Sequence, residues 1–454
     1  MHTPLRSLLT TLLLVLVGLT SSALAEEGRQ PTHEFTLDNG LKVIVREDHR
    51  APVVVSQLWY RVGSSYEPPG RTGLSHALEH MMFKGSERLA PGQASRLLSS
   101  LGAQENAFTG RDYTAYYQIL SREHLAIALE LEAERMHKLT LPEDEFLREM
   151  EVIKEERRLR VEDNPNSLAY ERFLSQAYMA SPYGQPVIGW MHDLDRLTVG
   201  DMREWYDRYY QPSNAILVIV GDVQLEQVRE LVERYFAPLP DKPAPDARAP
   251  LELPGGAERQ LTLRLPVQMP SLLLGFNVPS LSTAEQAWEV HALRLLAAVL
   301  DGGYSARLAS NLERGPAIAT SASADYDGFV RGDSLFLLSG IPNLARGVDL
   351  DQLEKALREQ IEQLQQTPPS QQELNRVQAQ MTAGLVYAQD SISHQANEIG
   401  KLESIGLSWT LLDEDVAALQ AITPEQISEV ARRYLVPERL TRAHILPTAT
   451  EETP

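Results

Sequence analysis

Apolar residues along this chain change period from segment to segment, and the changes mark out elements. Phe35-Thr36-Leu37-Asp38-Asn39-Gly40-Leu41-Lys42-Val43-Ile44-Val45-Arg46 brackets an Asn-Gly pair and predicts a hairpin. Residues 53–62, rich in β-branched and aromatic side chains, predict a further strand. Two prolines and a glycine between Glu67 and Thr72 lead into Gly73-Leu74-Ser75-His76-Ala77-Leu78-Glu79-His80-Met81-Met82-Phe83, which predicts a buried helix. An amphipathic helix over 92–101 follows, then paired strands within 106–117 around Gly110-Arg111-Asp112, then a helix over 123–137. Pro142 opens a long charged helix to about Val161, and Asp163-Asn164-Pro165 ends it. Further helices are predicted over 166–179, 198–209 and 224–236, and the apolar run at 215–222 predicts a strand buried on both faces.

Prolines at 238, 240, 243, 245, 250 and 254 predict a semi-extended linker over 238–256. It divides a unit spanning 26–237 from one spanning 257–454. The two look related: Leu197-Thr198, Arg208-Tyr209 and Pro212 are matched by Ile422-Thr423, Arg433-Tyr434 and Pro437 at a constant offset of 225.

A chain of 454 residues has room for two or three domains. Its net charge of −20 argues against nucleic acid or an anionic membrane as the main partner, and leaves basic peptides open. Arg6, the apolar run Leu8 to Leu19 and Ala23-Leu24-Ala25 predict a signal peptide over 1–25, cleaved before Glu26. The apolar run is short for a membrane span, so a periplasmic or secreted protein without a stable membrane anchor is expected. With no cysteine in the chain, thiolate metal sites and cysteine nucleophiles are excluded.

The chemistry concentrates in the helix around His76. At helical spacing His76, Glu79 and His80 project within a sector of roughly 80°. Two imidazoles one turn apart can share a zinc ion, and the carboxylate between them can act on water at the open position. This H-x-x-E-H order arises by chance roughly 0.04 times in a chain of this composition. Leu74, Leu78, Met81, Met82 and Phe83 would leave the trio buried without partners unless a metal satisfied it. A third protein ligand is needed, and Asp112, Glu145, Glu149, Glu155 and Glu156 are candidates. Glu149 and Glu156, seven apart, share a face of the charged helix, which narrows the choice to that pair.

His76-Ala77-Leu78-Glu79-His80 with Glu156 downstream resembles the pitrilysin family of inverted-motif zinc peptidases, which includes insulin-degrading enzyme and the mitochondrial processing peptidase. The surrounding words match too: Asp38-Asn39-Gly40-Leu41, Asn106-Ala107-Phe108-Thr109, Val152-Ile153-Lys154-Glu155-Glu156, Tyr183-Gly184 with Ile188-Gly189, and Pro212 with Asn214-Ala215. The resemblance implies an α+β fold of two related domains, each an antiparallel sheet packed with helices. It implies one Zn2+ per chain held by His76, His80 and Glu156, with Glu79 as general base and Glu149 supporting the ligands. Asn106, Ala107 and Phe108 would form the edge strand that holds extended peptide substrates. The implied activity is zinc-dependent endoproteolysis, and the alternative is a non-catalytic envelope scaffold subunit of the same fold.

Two departures bear on assembly. His291-Ala292-Leu293-Arg294-Leu295 repeats the start of the metal helix but lacks the glutamate and second histidine. Active members of the family also use an arginine and a tyrosine, seven apart, in the second half; Glu313 and Thr320 stand there, with Arg314 one residue off. The resemblance therefore implies a homologous metal-free partner subunit supplying that pair, or otherwise a homodimer.

Overall fold

The computed structural model describes residues 31–448 apart from 241, 244, 246, 247 and 254; the expected signal peptide lies outside the described residues. Eleven strands form two sheets among them. The first sheet contains β1 (Thr32–Thr36), β2 (Lys42–Glu47), β3 (Val53–Tyr60), β4 (Gln104–Thr109), β5 (Thr114–Ser121) and β6 (Ala215–Gly221), in the order β1-β2-β6-β3-β5-β4. The second contains β7 (Arg259–Leu265), β8 (Ser271–Val278), β9 (Ala319–Tyr326), β10 (Ser334–Pro342) and β11 (Leu440–Pro447), in the order β7-β11-β8-β10-β9. Without β1, the two orders are the same, and the chain is two copies of one α+β unit.

Each sheet is antiparallel except for one parallel pair, β2 with β6 and β7 with β11. The reason is topological. The last strand of each unit inserts between the first two, which run in opposite directions, so it must run parallel to one of them. The inserted β6 is buried along its whole length.

Seven longer helices belong to the first half: α1 (Leu74–Met81), α2 (Gln93–Ser100), α3 (Leu125–Lys138), α4 (Glu143–Arg157), α5 (Pro165–Ala177), α6 (Val199–Tyr209) and α7 (Leu225–Phe236). The second half has α8 (Ala287–Asp301), α9 (Leu350–Gln366), α10 (Gln371–Ala388), α11 (Ile392–Ser404), α12 (Leu411–Gln420) and α13 (Pro424–Tyr434). The 225-residue offset relates α6 to α13 residue for residue. Each begins at a threonine whose hydroxyl accepts from the third helical amide, with a reciprocal side-chain bond, Thr198 with Asp201 and Thr423 with Gln426. Among the described residues no helix is long and apolar enough to cross a membrane.

The halves are interlocked. Helix α5 of the first half lies on the second sheet, where Ala169, Phe173 and Ala177 pack with Val267, Ala443 and Ile445. Helix α11 of the second half lies on the first sheet, where Ala396 and Ile399 pack with Val55, Trp59, Ile216 and Val218. A glycine seats an aromatic ring at each junction: a Cβ on Gly400 would stand 2.1 Å from Trp59, and one on Gly275 would stand 2.7 Å from Phe173. The described part of 238–256 has no helix or strand, yet it is hydrogen-bonded to both halves. Glu252 accepts from the amides of Ala180 and Ser181, and its own amide donates to Asp333.

Candidate metal centre

Helix α1 owes its placement to a glycine and a buried carboxylate. Gly73 has φ +89°, and a Cβ there would meet the Ile188 carbonyl at 2.8 Å, so only glycine lets the 188–189 loop approach the helix start. Glu67 accepts from the amides of Gly73 (2.7 Å) and Ser75 (2.6 Å), satisfying donors that the first turn leaves orphaned. Burial pushes the Glu67 carboxyl up to about 8, with the two amide bonds pulling it down.

From this anchored helix His76 and His80 face Glu156 on α4. Glu156 Oε2 lies 3.8 Å from His76 Nε2 and 3.5 Å from His80 Nε2. One ligand atom from each of the three lies within 4.8 Å of the other two, and among the described residues this is the cluster with metal-binding geometry. His80 Nδ1 is 3.2 Å from Glu149 Oε2, which also binds Lys84 through Oε1 at 2.6 Å. A carboxylate only accepts, so Nδ1 carries the hydrogen and Nε2 keeps its lone pair toward Glu156. Two imidazole nitrogens and one carboxylate oxygen, opening on a cleft, suit zinc with one coordination position free. Burial holds His76 neutral, lowering its pKa to about 3.

Glu79 stands apart from the three ligands. Its Oε2 accepts from Thr109 Oγ1 at 2.5 Å, and burial followed by the charge of Glu156 raises its pKa against the Thr109 bond and His80. Asn106, Ala107 and Phe108 sit in β4, the edge of the first sheet, paired on one side only with Tyr117, Tyr116 and Ala115. On the free side, the Ala107 amide donates to the Asn106 side chain at 2.9 Å. Both the edge and the three ligands line one cleft of about 710 Å³, whose walls come from residues between His76 and Ile188.

The other carboxylates considered as ligands are engaged elsewhere. Glu145 pairs with Arg148 and Glu155 with Arg158, both on exposed helix faces. Asp112 accepts from Arg331 of the second half at 3.2 Å and from the Tyr183 hydroxyl, and Arg331 also reaches Ser65 at 2.8 Å. That buried knot ties the 110–112 turn and the 183–188 loop, two walls of the cleft, to the second domain.

Three contacts escape the sequence reading: Thr109 on Glu79, Glu67 on α1, and Arg160, which pairs with Glu156 Oε1 at 2.8 Å. Only the last had a signal, since Arg160 follows Glu156 by one helical turn. The long charged helix also changes character there: α4 ends at Arg157 and residues 158–162 form a π-turn, so the backbone widens beside the cleft.

In the second half the corresponding helix is α8. His291 Nδ1 is 3.6 Å from Asp415 and 3.3 Å from Arg294, and Arg294 pairs with Asp415 at 2.9 Å. Arg294 stands at the sequence position that corresponds to Glu79, and it is paired with Asp415 of α12. Glu313 accepts from the Ala322 amide at 2.8 Å, and Thr320 Oγ1 donates to the Pro342 carbonyl at 3.4 Å. Both bonds stay within the second domain, and Thr320 itself is exposed on β9.

Residues 42–190 match the family model described as Insulinase (Peptidase family M16), and residues 196–381 match one described as Peptidase M16 inactive domain. The chain is 33% identical over 397 residues to the zinc protease PqqE of Helicobacter pylori, covering 86% of each. It superimposes on the crystal structure of a protease from Helicobacter pylori with a TM-score of 0.85 and 29% identity, covering 92% of this chain and all of that one. It also matches the periplasmic protease PqqL from Escherichia coli with a TM-score of 0.79 and 19% identity; there it covers 92% of this chain but 48% of that one, which sets the likeness at the level of fold.

Proposed function

The chain belongs to the insulinase family, peptidase family M16, and from that premise we propose that it is an exported zinc-dependent endopeptidase acting on extended peptides or small unfolded proteins. The observation that carries this is the convergence of His76, His80 and Glu156 within 4.8 Å, in a cleft bordered by the free edge of β4. His76, His80 and Glu156 would hold the zinc, which would supply Lewis acidity toward a carbonyl and toward water near neutral pH.

The chain's own residues do the rest. An extended peptide adds to β4 at Asn106, Ala107 and Phe108, displacing the Asn106 side chain from the Ala107 amide. Glu79, steered by Thr109, takes a proton from the attacking water and returns it to the leaving amine. Its raised pKa favours that second step. Glu149 fixes the ring of His80.

The test is cleavage of a peptide library by the chain purified together with any bound partner, with metal analysis, beside Glu79→Gln. The variant is expected to keep its zinc and lose activity by two to four orders of magnitude, roughly the worth of a general base. Near-wild-type cleavage by Glu79→Gln rejects the assignment. Since Glu313 and Thr320 stand where the resemblance calls for an arginine and a tyrosine, a homologous metal-free subunit completes the cleft in this reading, and a homodimer is the next arrangement. Co-purification with a chain of similar size supports it, whereas full turnover by the isolated chain rejects it.

A further inference from the structure

The charges facing the cleft are almost all accounted for. Glu156 pairs with Arg160, Glu171 is held by both terminal nitrogens of Arg157, and Glu79 is bound by Thr109. Arg111 is the exception. It lies in the turn that follows β4, two residues beyond Thr109, and its side chain is among the cleft walls. Its guanidinium has no hydrogen-bonding or ion-pair partner among the described residues; Nε is buried with nothing to donate to, and the cation lies 5.6 Å from the Tyr183 ring. Its neighbour Asp112, the nearest carboxylate in sequence, is committed to Arg331 and Tyr183. Arg111 also sits close enough to the half-exposed Tyr170, another cleft residue, for its charge to oppose the effect of burial on that phenol.

A half-buried arginine without a counter-ion is costly unless something brings one. The turn that carries it is fixed by the Asp112–Arg331 knot and follows the strand whose Thr109 binds Glu79, so the guanidinium belongs to the same cleft as the base. We propose that Arg111 selects peptides with a carboxylate close to the scissile bond, so that this cleft takes acidic peptide segments although the protein as a whole is acidic. The proposal rests on the endopeptidase reading and names the substrate class of that same cleft. The guanidinium fork matches a carboxylate through two parallel hydrogen bonds, and the Tyr183 ring stacks behind it. Net charge steers at long range and is screened within about 8 Å at physiological salt, so the local cation decides at contact.

The experiment uses the full chain carrying Glu79→Gln, which binds without turnover, and a set of neutral fluorescent peptides. A single Glu is moved through the sequence, with Gln as its isostere at each position. At one or two adjacent positions Glu is expected to bind about tenfold more tightly than Gln, the scale of one charge-assisted pair. Arg111→Met brings that ratio to about one, Arg111→Lys keeps its sign, and Arg111→Glu reverses it in favour of Gln. Equal affinity for Glu and Gln peptides at every position overturns the proposal, as does a preference that survives Arg111→Met. Cleavage by the unsubstituted chain, purified together with any subunit bound to it, separates the two readings. Selective binding without cleavage of any peptide sinks the endopeptidase reading and leaves the acidic preference standing; cleavage with equal binding does the reverse.

Discussion

Glu149 is the residue whose removal tests the metal centre most sharply. It touches no other ligand, so its effect must pass through the ring of His80. In the folded chain Glu149 Oε2 accepts from His80 Nδ1 at 3.2 Å while Lys84 holds the other oxygen at 2.6 Å. That arrangement selects the tautomer with a free Nε2 and fixes the ring plane. His76 has no such support, since its Nδ1 is buried without a partner, so nothing offsets a loss at His80. Removing a carboxylate that orients a ligating histidine typically weakens metal affinity 10–100-fold, about 1.4–2.7 kcal/mol. Glu149→Ala is expected near the upper end, because it also leaves Lys84 beside the ring without its carboxylate. Glu149→Gln is expected near the lower end, since its amide oxygen still accepts from Nδ1. Competition against a chromophoric chelator at pH 7 measures both. A zinc dissociation constant for Glu149→Ala within twofold of the unsubstituted chain refutes the reasoning, and so does a larger loss in Glu149→Gln than in Glu149→Ala.

Other outcomes follow from the same geometry. Glu156→Gln removes a ligand rather than a base, so it should lower zinc content together with activity; full occupancy by metal analysis rules out its role. Gly400→Ala places a methyl against the buried Trp59, where about 1 Å of movement is required, and should lose about 1–3 kcal/mol, whereas Gly384→Ala, in a helix with open space around it, should gain up to about 1 kcal/mol. Thermal unfolding compares the two, and equal shifts would show that the α11 junction is not tightly packed. The metal-free chain should lose stability as pH falls below about 6.5. His76 titrates near 3 in the fold, so the unfolded chain binds the extra proton across that window and stability rises with pH by up to about 1.4 kcal/mol per unit. A flat profile between pH 6.5 and 4 in a His76→Asn-corrected comparison would contradict the burial of that ring.

The sequence pattern carried the elements well because most of them declare themselves locally. The alternating run before Arg46, the apolar face of the His76 helix and the threonine caps at 198 and 423 each signal through neighbours a few residues away. The insertion of β6 between β2 and β3 has no such signal: it depends on which apolar strand fills the middle of a sheet, a pairing across some 170 residues of sequence. The exchange of α5 and α11 between domains was equally illegible, since an amphipathic helix announces that it will be buried but not under which sheet. At the site, spacing placed Glu149 and Glu156 on one face and left them equivalent. The structure separates them by the atom of His80 that each meets, Nδ1 for Glu149 and Nε2 for Glu156. Arg111 looked like an ordinary turn residue, because lacking a partner is a property of the folded surroundings rather than of the residue.

The second domain carries an Arg294–Asp415 ion pair on the helix that corresponds to α1, and the interlock explains what that domain contributes to the cleft. Its helix α11 closes over Trp59 in the strand that precedes the metal helix. Its Arg331 reaches Asp112 and Ser65, and the amide of Gly332 donates to the Tyr183 hydroxyl at 3.0 Å. These contacts hold the 110–112 turn at one wall of the cleft and the 183–188 loop at another. The first domain holds the same walls from its own side, through the amides of Ser64 and Ser65 on the carbonyls of Gly110 and Arg111 and through Ile188 against its core. A unit with only the first sheet would keep its two histidines on one helix and lose the Arg331 and Gly332 contacts that brace these walls from the other side. On the proposed reading the duplication separates two tasks: one copy carries the candidate metal ligands and base, and the other braces the cleft in which they would act.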